Sequence, residues 1–234
     1  MNEENKKEEI KQESSAEVVK EEKSLEHIEF ETKYRAEDHL LIQFKQILDG
    51  LEGEKKFIYV EGPDFYYTYP DWWFKNNPEW DSNGTFIRYR KPSYGLDNGR
   101  RQVTWKYQAK DAKNNIQRKE LNFDLTDKTL DSTVVEQMES SGAKFNFSII
   151  KNCHIYVLED ATLVFYTVYD TTDGKPKKAD SFVEIEVCEE KIASMTEEQA
   201  WAIIVKYEKL LEDIGLNAQK RLKRSLFGMY RRDK

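Results

Sequence analysis

Apolar and polar positions alternate with a period of two along most of the chain between residues 27 and 187. Side chains of an extended strand point to opposite faces in turn, so this pattern predicts strands. They are expected at His27–Arg35, Lys56–Val60, Phe65–Tyr69, Thr85–Lys91, Gln102–Lys110, Arg118–Asp124, Lys144–Val157, Ala161–Asp170 and Ser181–Val187. Turn-forming residues separate them at Ser82-Asn83-Gly84, Asp97-Asn98-Gly99, Lys113-Asn114-Asn115 and Asp173-Gly174-Lys175. The second and third of these have the character of hairpin connections, which makes neighbouring strands antiparallel.

Three stretches switch to helical spacing. Glu37–Leu51 sets Leu40, Leu41, Phe44, Ile47, Leu48 and Leu51 along one stripe, with Gly50 and Gly53 to end it. Thr129–Ser141 has the weaker stripe Val134, Val135 and Met138. Thr196–Ile214 opens on a capping-box pair, Thr196 and Gln199, carries Trp201, Ile204, Leu210, Leu211 and Ile214, and stops at Gly215. Antiparallel strands with flanking helices make the class α+β.

The residue types on the polar faces carry more information than the alternation itself. Glu29, Glu31 and Lys33 share a face, as do Arg88 with Arg90, Lys106 with Lys110, Arg118 with Glu120 and Asn122, and Glu184 with Glu186. A solvent-facing sheet produces alternation too, but it mixes Thr, Ser, Lys and Glu with signs interspersed. Here Glu-x-Glu-x-Lys, Arg-x-Arg and Glu-x-Glu sort by sign from strand to strand. If the sheet curls so that these faces look inward, the apolar faces pack on the three helices. Carboxylates and cations then share an interior too costly to leave without a charged occupant. A polyphosphate with divalent cations is such an occupant. A closed or nearly closed antiparallel β-barrel with a charged lining follows.

Composition narrows the setting. Of 234 residues, 38% are hydrophobic and 35% charged, with a net charge of −7. Residues 1–26 hold nine Glu and five Lys, hence −4 of that charge, and are expected to form an acidic, disordered tail; residues 27–234 read as one domain. Residues 217–234 carry seven basic residues against Asp233 alone, a solvated face in the first instance and a phosphate or RNA contact in the second. No apolar run is long enough to span a bilayer, the N-terminus lacks a signal-peptide pattern, and two cysteines make no disulfide framework, so a cytoplasmic protein with no membrane partner is expected. His27, His39 and His154 with those cysteines offer no zinc spacing, and no phosphate-cradling glycine loop or nucleophile elbow occurs. Trp72, Trp73 and Trp80 cluster in an apparent connection, read as packing over a barrel end or, alternatively, as a nucleobase platform at its mouth.

Taken in order, these segments resemble the CYTH superfamily, the triphosphate tunnel metalloenzymes that include class IV adenylyl cyclases, thiamine triphosphatases and inorganic triphosphatases. Residues 28–35 resemble the opening Glu-x-Glu-x-Lys strand, Asp64-Phe65-Tyr66-Tyr67 the second-strand pattern, and residues 84–90 the Gly-x-x-hydrophobic-Arg-x-Arg strand. Thr104-Trp105-Lys106, Arg118-Lys119-Glu120 and Phe182-Val183-Glu184-Ile185-Glu186 are similar to the later strands; Ile214-Gly215-Leu216 and Arg224-Ser225-Leu226-Phe227 resemble the C-terminal positions. The likeness covers about residues 27–230 and implies a triphosphate lying along a β-tunnel. It implies that Lys33, Arg88, Arg90, Lys106, Arg118 and Lys151 grip phosphate. It also implies that Glu29, Glu31, Glu184 and Glu186 hold Mg²⁺ or Mn²⁺, with Glu120 and Asp170 at a second ion. Glu29, Glu31, Glu120 and Lys33 become the candidate catalytic residues.

The pattern also departs from the family. Its second acidic strand reads Glu120-Leu121-Asn122, with an amide for a carboxylate, and its Lys-x-Arg strand reads Lys151-Asn152-Cys153, without the arginine. His154 falls on the opposite face, and Asp160 competes with Asp170 for the remaining acidic position. The implied function is a metal-dependent hydrolase of inorganic triphosphate or of a nucleoside or other organic triphosphate. A class IV adenylyl cyclase comes second and a non-catalytic polyphosphate binder third. The acidic total argues against nucleic acid as partner, apart from an RNA 5′-triphosphate.

Overall fold

The computed structural model describes residues 26–91, 93–95, 101–110, 117–126 and 128–232. Nine strands occur among them: β1 (Glu26–Ala36), β2 (Lys56–Thr68), β3 (Phe86–Arg90), β4 (Tyr94–Gly95), β5 (Arg101–Tyr107), β6 (Gln117–Leu125), β7 (Lys144–Val157), β8 (Ala161–Asp170) and β9 (Lys177–Val187). The helices are α1 (Leu40–Asp49), α2 (Asp71–Asn76), α3 (Asp131–Ser140), α4 (Glu189–Ile192), α5 (Glu197–Leu210) and α6 (Leu226–Tyr230). All strand pairings are antiparallel and run β3-β5-β6-β1-β9-β8-β7-β2; β2 then pairs with β3, closing eight strands into a barrel, and β4 adds to β2 outside the ring. The architecture is α+β: a closed antiparallel barrel with flanking helices.

Each barrel strand turns its apolar face outward. On one flank Phe30, Tyr34, Val183, Ile185, Leu163 and Phe165 pack with Phe44 and Leu48 of α1 and Ala200, Ile204 and Tyr207 of α5. On the other, Tyr67, Ile87, Tyr89 and Val103 pack with Phe74 of α2 and Val134 and Met138 of α3. The helices thus cover the outside, and the polar faces are left to the interior. At one end the interior is apolar too. Leu226 and Phe227 of α6 enter it against Tyr66, Phe86, Phe147 and Phe182, with the Phe86 and Phe227 rings stacked at 4.7 Å.

Local signals explain where elements stop. Thr196 Oγ1 accepts the Gln199 amide and Gln199 Oε1 accepts the Thr196 amide, closing the capping box at the start of α5. α5 ends at Leu210, short of the expected Ile214; a single 3₁₀ turn, Glu212–Ile214, follows, and Gly215 takes the left-handed conformation at φ +78°. The two strands expected at 56–60 and 65–69 are one, because Pro63 does not interrupt β2. Its neighbours keep their register with β7, while its carbonyl accepts the Lys91 amide just past the end of β3, so the missing N–H costs at most one bond at the margin of that ladder. The hairpin turns expected at Asp97–Gly99 and Lys113–Asn115 lie outside the described residues, though β3–β5 and β5–β6 are antiparallel as anticipated.

Candidate active site

Register determines which charges meet. Glu29 of β1 lies opposite Arg118 of β6, and Glu31 and Lys33 lie opposite Glu186 and Glu184 of β9. Lys106 of β5 lies opposite Glu120 of β6, and Asp64 of β2 opposite Arg90 of β3. Because side chains alternate faces, these strands all send their charged set to the same side. That side is the interior: Glu29, Glu31, Lys33, Arg88, Arg90, Lys106, Arg118, Glu120, Lys151, Glu184 and Glu186 line one cavity of about 240 Å³. Burial is deep, with no more than 8% exposure at Glu29, Glu31, Lys33, Lys106, Arg118, Glu120 or Lys151.

The charges are extensively paired. Lys106 Nζ lies 2.7 Å from Glu29 and also meets Glu120; Arg118 bridges Glu29 at 3.1 Å and Glu31; Lys33 meets Glu184 and lies 3.5 Å from Glu31. Arg90 grips Asp64 through two bonds, Nε to Oδ1 at 2.8 Å and Nη2 to Oδ2 at 2.9 Å. Tyr166 donates its hydroxyl to Glu184 at 2.7 Å. Gly84, which leads into β3, is needed because a Cβ there would fall 2.5 Å from the Cβ of Gln108.

Electrostatics follow from this crowding. Burial together with Glu29, Glu31 and Glu120 pushes Glu186 up to about 8, against the pull of Lys106. Burial also drives Glu31 upward, but Lys33, Arg118 and Lys106 outweigh it and hold the carboxyl below its ordinary range. Lys33 falls to about 8, chiefly through burial. Asp64, despite burial, is held down to about 2 by Arg90.

The donor set suits a hard divalent cation. Five glutamates of the barrel strands offer oxygen only, and Glu31 and Glu186 face each other as like charges in register. Among the described residues, however, no three carboxylates already converge as a metal cluster, since lysines and arginines occupy most of them. Glu29, Glu31, Glu184 and Glu186 are the residues that would hold such an ion.

No family model matches the chain, and no curated protein matches it in sequence. Solved structures do match. The PH1012 protein from Pyrococcus horikoshii OT3 is 22% identical and aligns over 87% of this chain and 99% of its own, with a TM-score of 0.61. A candidate adenylate cyclase from Vibrio parahaemolyticus is 19% identical over 86% of this chain and 95% of its own, TM-score 0.52. A chain of the Schizosaccharomyces pombe Mediator head module is 14% identical over 80% and 95%, TM-score 0.54. The chain has the CYTH fold. One fold shared by a candidate cyclase and a Mediator head chain leaves activity to be argued from the site.

The barrel cavity gathers every candidate named from the sequence except Asp170. That residue has the inward parity of β8, but it lies two residues past Val168, which packs in the apolar layer with Leu226 and Phe227. There it meets Arg232 at 3.1 Å and accepts the Thr172 amide, so it stands apart from the cavity. Asn122, where the family pattern has an acid, lines the cavity and accepts the Thr104 hydroxyl at 2.7 Å. Cys153 lines it where an arginine was expected, and His154 packs outside against Tyr59, as parity requires. Of the clustered tryptophans, Trp73 stacks on Tyr69 at 4.4 Å and Trp80 packs near Tyr107, both against the outer cluster, while Trp72 is exposed. Nor are Arg221, Arg231 and Arg232 simply solvated. Arg221 clasps Glu208, Arg231 donates to the Ser82 carbonyl, and Arg232 pairs with Asp170 and Asp173.

Sequence reasoning missed Asp64, Tyr66 and Tyr166 as members of the site. Asp64 and Tyr66 share the inward parity of β2, and Tyr166 that of β8, so period two was a usable signal. Ser225, which caps α6, and Glu189, the first residue of α4, also line the cavity, from short elements where no periodicity points to them.

Proposed function

We propose that the chain is a divalent-metal-dependent triphosphatase that hydrolyses inorganic triphosphate or a nucleoside or other organic triphosphate inside the barrel. One observation carries this reading: six cations and five glutamates, drawn from six strands, converge on one cavity inside the barrel. Its volume of about 240 Å³ is small for a ligand site and suits a phosphate chain better than a phosphate chain with a whole nucleoside inside.

Lys33, Arg88, Arg90, Lys106, Arg118 and Lys151 would bind and align the phosphate oxygens, and the arginines can do so through two parallel bonds. They would also offset the charge that develops during transfer to water, in a cavity where burial strengthens each interaction. A divalent cation on Glu29, Glu31, Glu184 and Glu186 would supply Lewis acidity and charge neutralisation toward the phosphoryl oxygens. Glu120 would orient the attacking water. Asp64 fixes the Arg90 guanidinium through two bonds, so this cation is aimed before any ligand arrives.

The test is a panel of tripolyphosphate, ATP and other triphosphates with Mg²⁺ or Mn²⁺, reading orthophosphate, pyrophosphate and cyclic nucleotide in parallel. Orthophosphate release that disappears in Glu31→Ala and Arg90→Ala is expected. Cyclic AMP with pyrophosphate would move the assignment to a cyclase, and no product from any triphosphate would reject catalysis. A second reading, binding without turnover, draws on Asn122 and Cys153 in place of an acid and an arginine and on the displacement of Asp170 from the cavity. It predicts tight tripolyphosphate binding with no product.

A further inference from the structure

Register divides the cavity's cations into two kinds. Lys33, Lys106 and Arg118 each have a glutamate as direct cross-strand neighbour, Glu184, Glu120 and Glu29, and Arg90 has Asp64. Neighbours so placed attract each other whatever else is bound, and each pair is already closed in the resting chain. Arg88 and Lys151 have neutral neighbours instead. Arg88 lies opposite Tyr66 and Thr104, and Lys151 opposite Gly62 and Val168.

Side-chain contacts agree with the register. Arg88 donates to the Thr104 hydroxyl at 3.1 Å, while its buried Nε has no acceptor. Lys151 Nζ sits 4.0 Å from the centre of the Tyr166 ring. Among the described residues no carboxylate pairs with either cation. A buried cation without an anion carries an uncompensated desolvation cost, which an incoming anion relieves. A paired cation gains less, because its glutamate must first be released.

Resting on the triphosphate reading above, we infer that a polyanion docks first on Arg88 and Lys151. Lys33, Lys106 and Arg118 turn to it only as a divalent cation takes over their glutamates. Metal and anion therefore bind with positive coupling, which linkage makes reciprocal. The paired lysines act as a latch held by the same carboxylates that the metal needs.

Calorimetric titration with tripolyphosphate at fixed ionic strength, first in EDTA and then in excess Mg²⁺, tests this. In EDTA weak binding is expected, about tenfold weaker again in Arg88→Gln and Lys151→Met but changed by less than about threefold in Lys106→Met. Lys151→Arg, which keeps the charge, should restore metal-free binding and so separates loss of charge from misfolding. In Mg²⁺ the unmodified chain should bind at least about tenfold tighter, and Lys106→Met should then cost about tenfold. Glu184→Gln removes the nearer of the two carboxylates at Lys33 with no metal present, so it should tighten metal-free binding by about tenfold. If Lys106→Met weakens metal-free binding as much as Arg88→Gln, or Glu184→Gln does not tighten it, the inference is overturned and the triphosphate reading stands. No tripolyphosphate binding by the folded, unmodified chain in either buffer would overturn both.

Discussion

The two faces of this barrel are the same strands seen from opposite sides, and they are built from opposite chemistry. Outside, Phe165 of β8 is buried against Phe44 of α1 at 5.7 Å, and two apolar clusters bind the helices to the wall. Inside, the neighbouring β9 presents Glu184 and Glu186 to a cavity lined by lysines and arginines. The outer face stabilises the fold by removing apolar surface from water, while each inner charge must recover its own desolvation from a partner. The contrast teaches that stability and ligand binding have been assigned to alternate residues of one strand, so each can be perturbed almost separately.

The largest effect should come from the outer face. Phe165→Ala is expected to lower stability by about 3–5 kcal/mol in denaturant unfolding, with metal-supported tripolyphosphate affinity of the folded fraction unchanged. Comparable losses of affinity and stability would blur the division. Next comes a broken inner pair: Arg90→Met leaves Asp64 buried without its partner and should cost about 3 kcal/mol, while adding Asp64→Leu should recover most of that stability without recovering binding.

A pH experiment isolates the same pair. Arg90 depresses the folded-state value of Asp64 to about 2 from an ordinary 3.8. The stability this confers is present above pH 3.8 and is lost as pH falls through about 2. The unmodified chain should thus lose about 2 kcal/mol more than Asp64→Asn between pH 5 and pH 2. Equal slopes would show that the pair does not titrate as described. The smallest effect has the opposite sign: Lys151→Met removes a buried cation that has no carboxylate partner and should raise stability by about 1 kcal/mol while weakening tripolyphosphate binding. A fall in stability would place Lys151 among the structural residues.

Much of the division was legible in sequence because period two labels faces without reference to contacts. Glu29, Glu31 and Lys33 could be assigned to one side before any partner strand was known, and sorting by sign suggested that this side is enclosed. What parity cannot give is depth along the barrel. Asp170 has the right face and the wrong tier, because α6 fills the interior between it and the cavity, and a five-residue helix leaves little periodic signal. The separate strands expected at 56–60 and 65–69 proved to be one, with Pro63 inside β2 and facing the end of β3, where the ladder stops at Asp64 and Arg90. The tryptophans showed a general difficulty. Their clustering announced burial but not which surface they bury against, and Trp73 and Trp80 turned out to belong to the outer core.

The most direct test of the account is one calorimetric comparison, tripolyphosphate with Mg²⁺ titrated into the unmodified chain, Arg88→Gln and Lys223→Gln. Lys223 is an exposed cation of the C-terminal segment and Arg88 an inward one. Saturable one-to-one binding that is lost with Arg88 and intact without Lys223 is the predicted result. Binding that ignores Arg88, or weakens equally in both variants, would mean that the anion is held on the outer surface and would contradict the account.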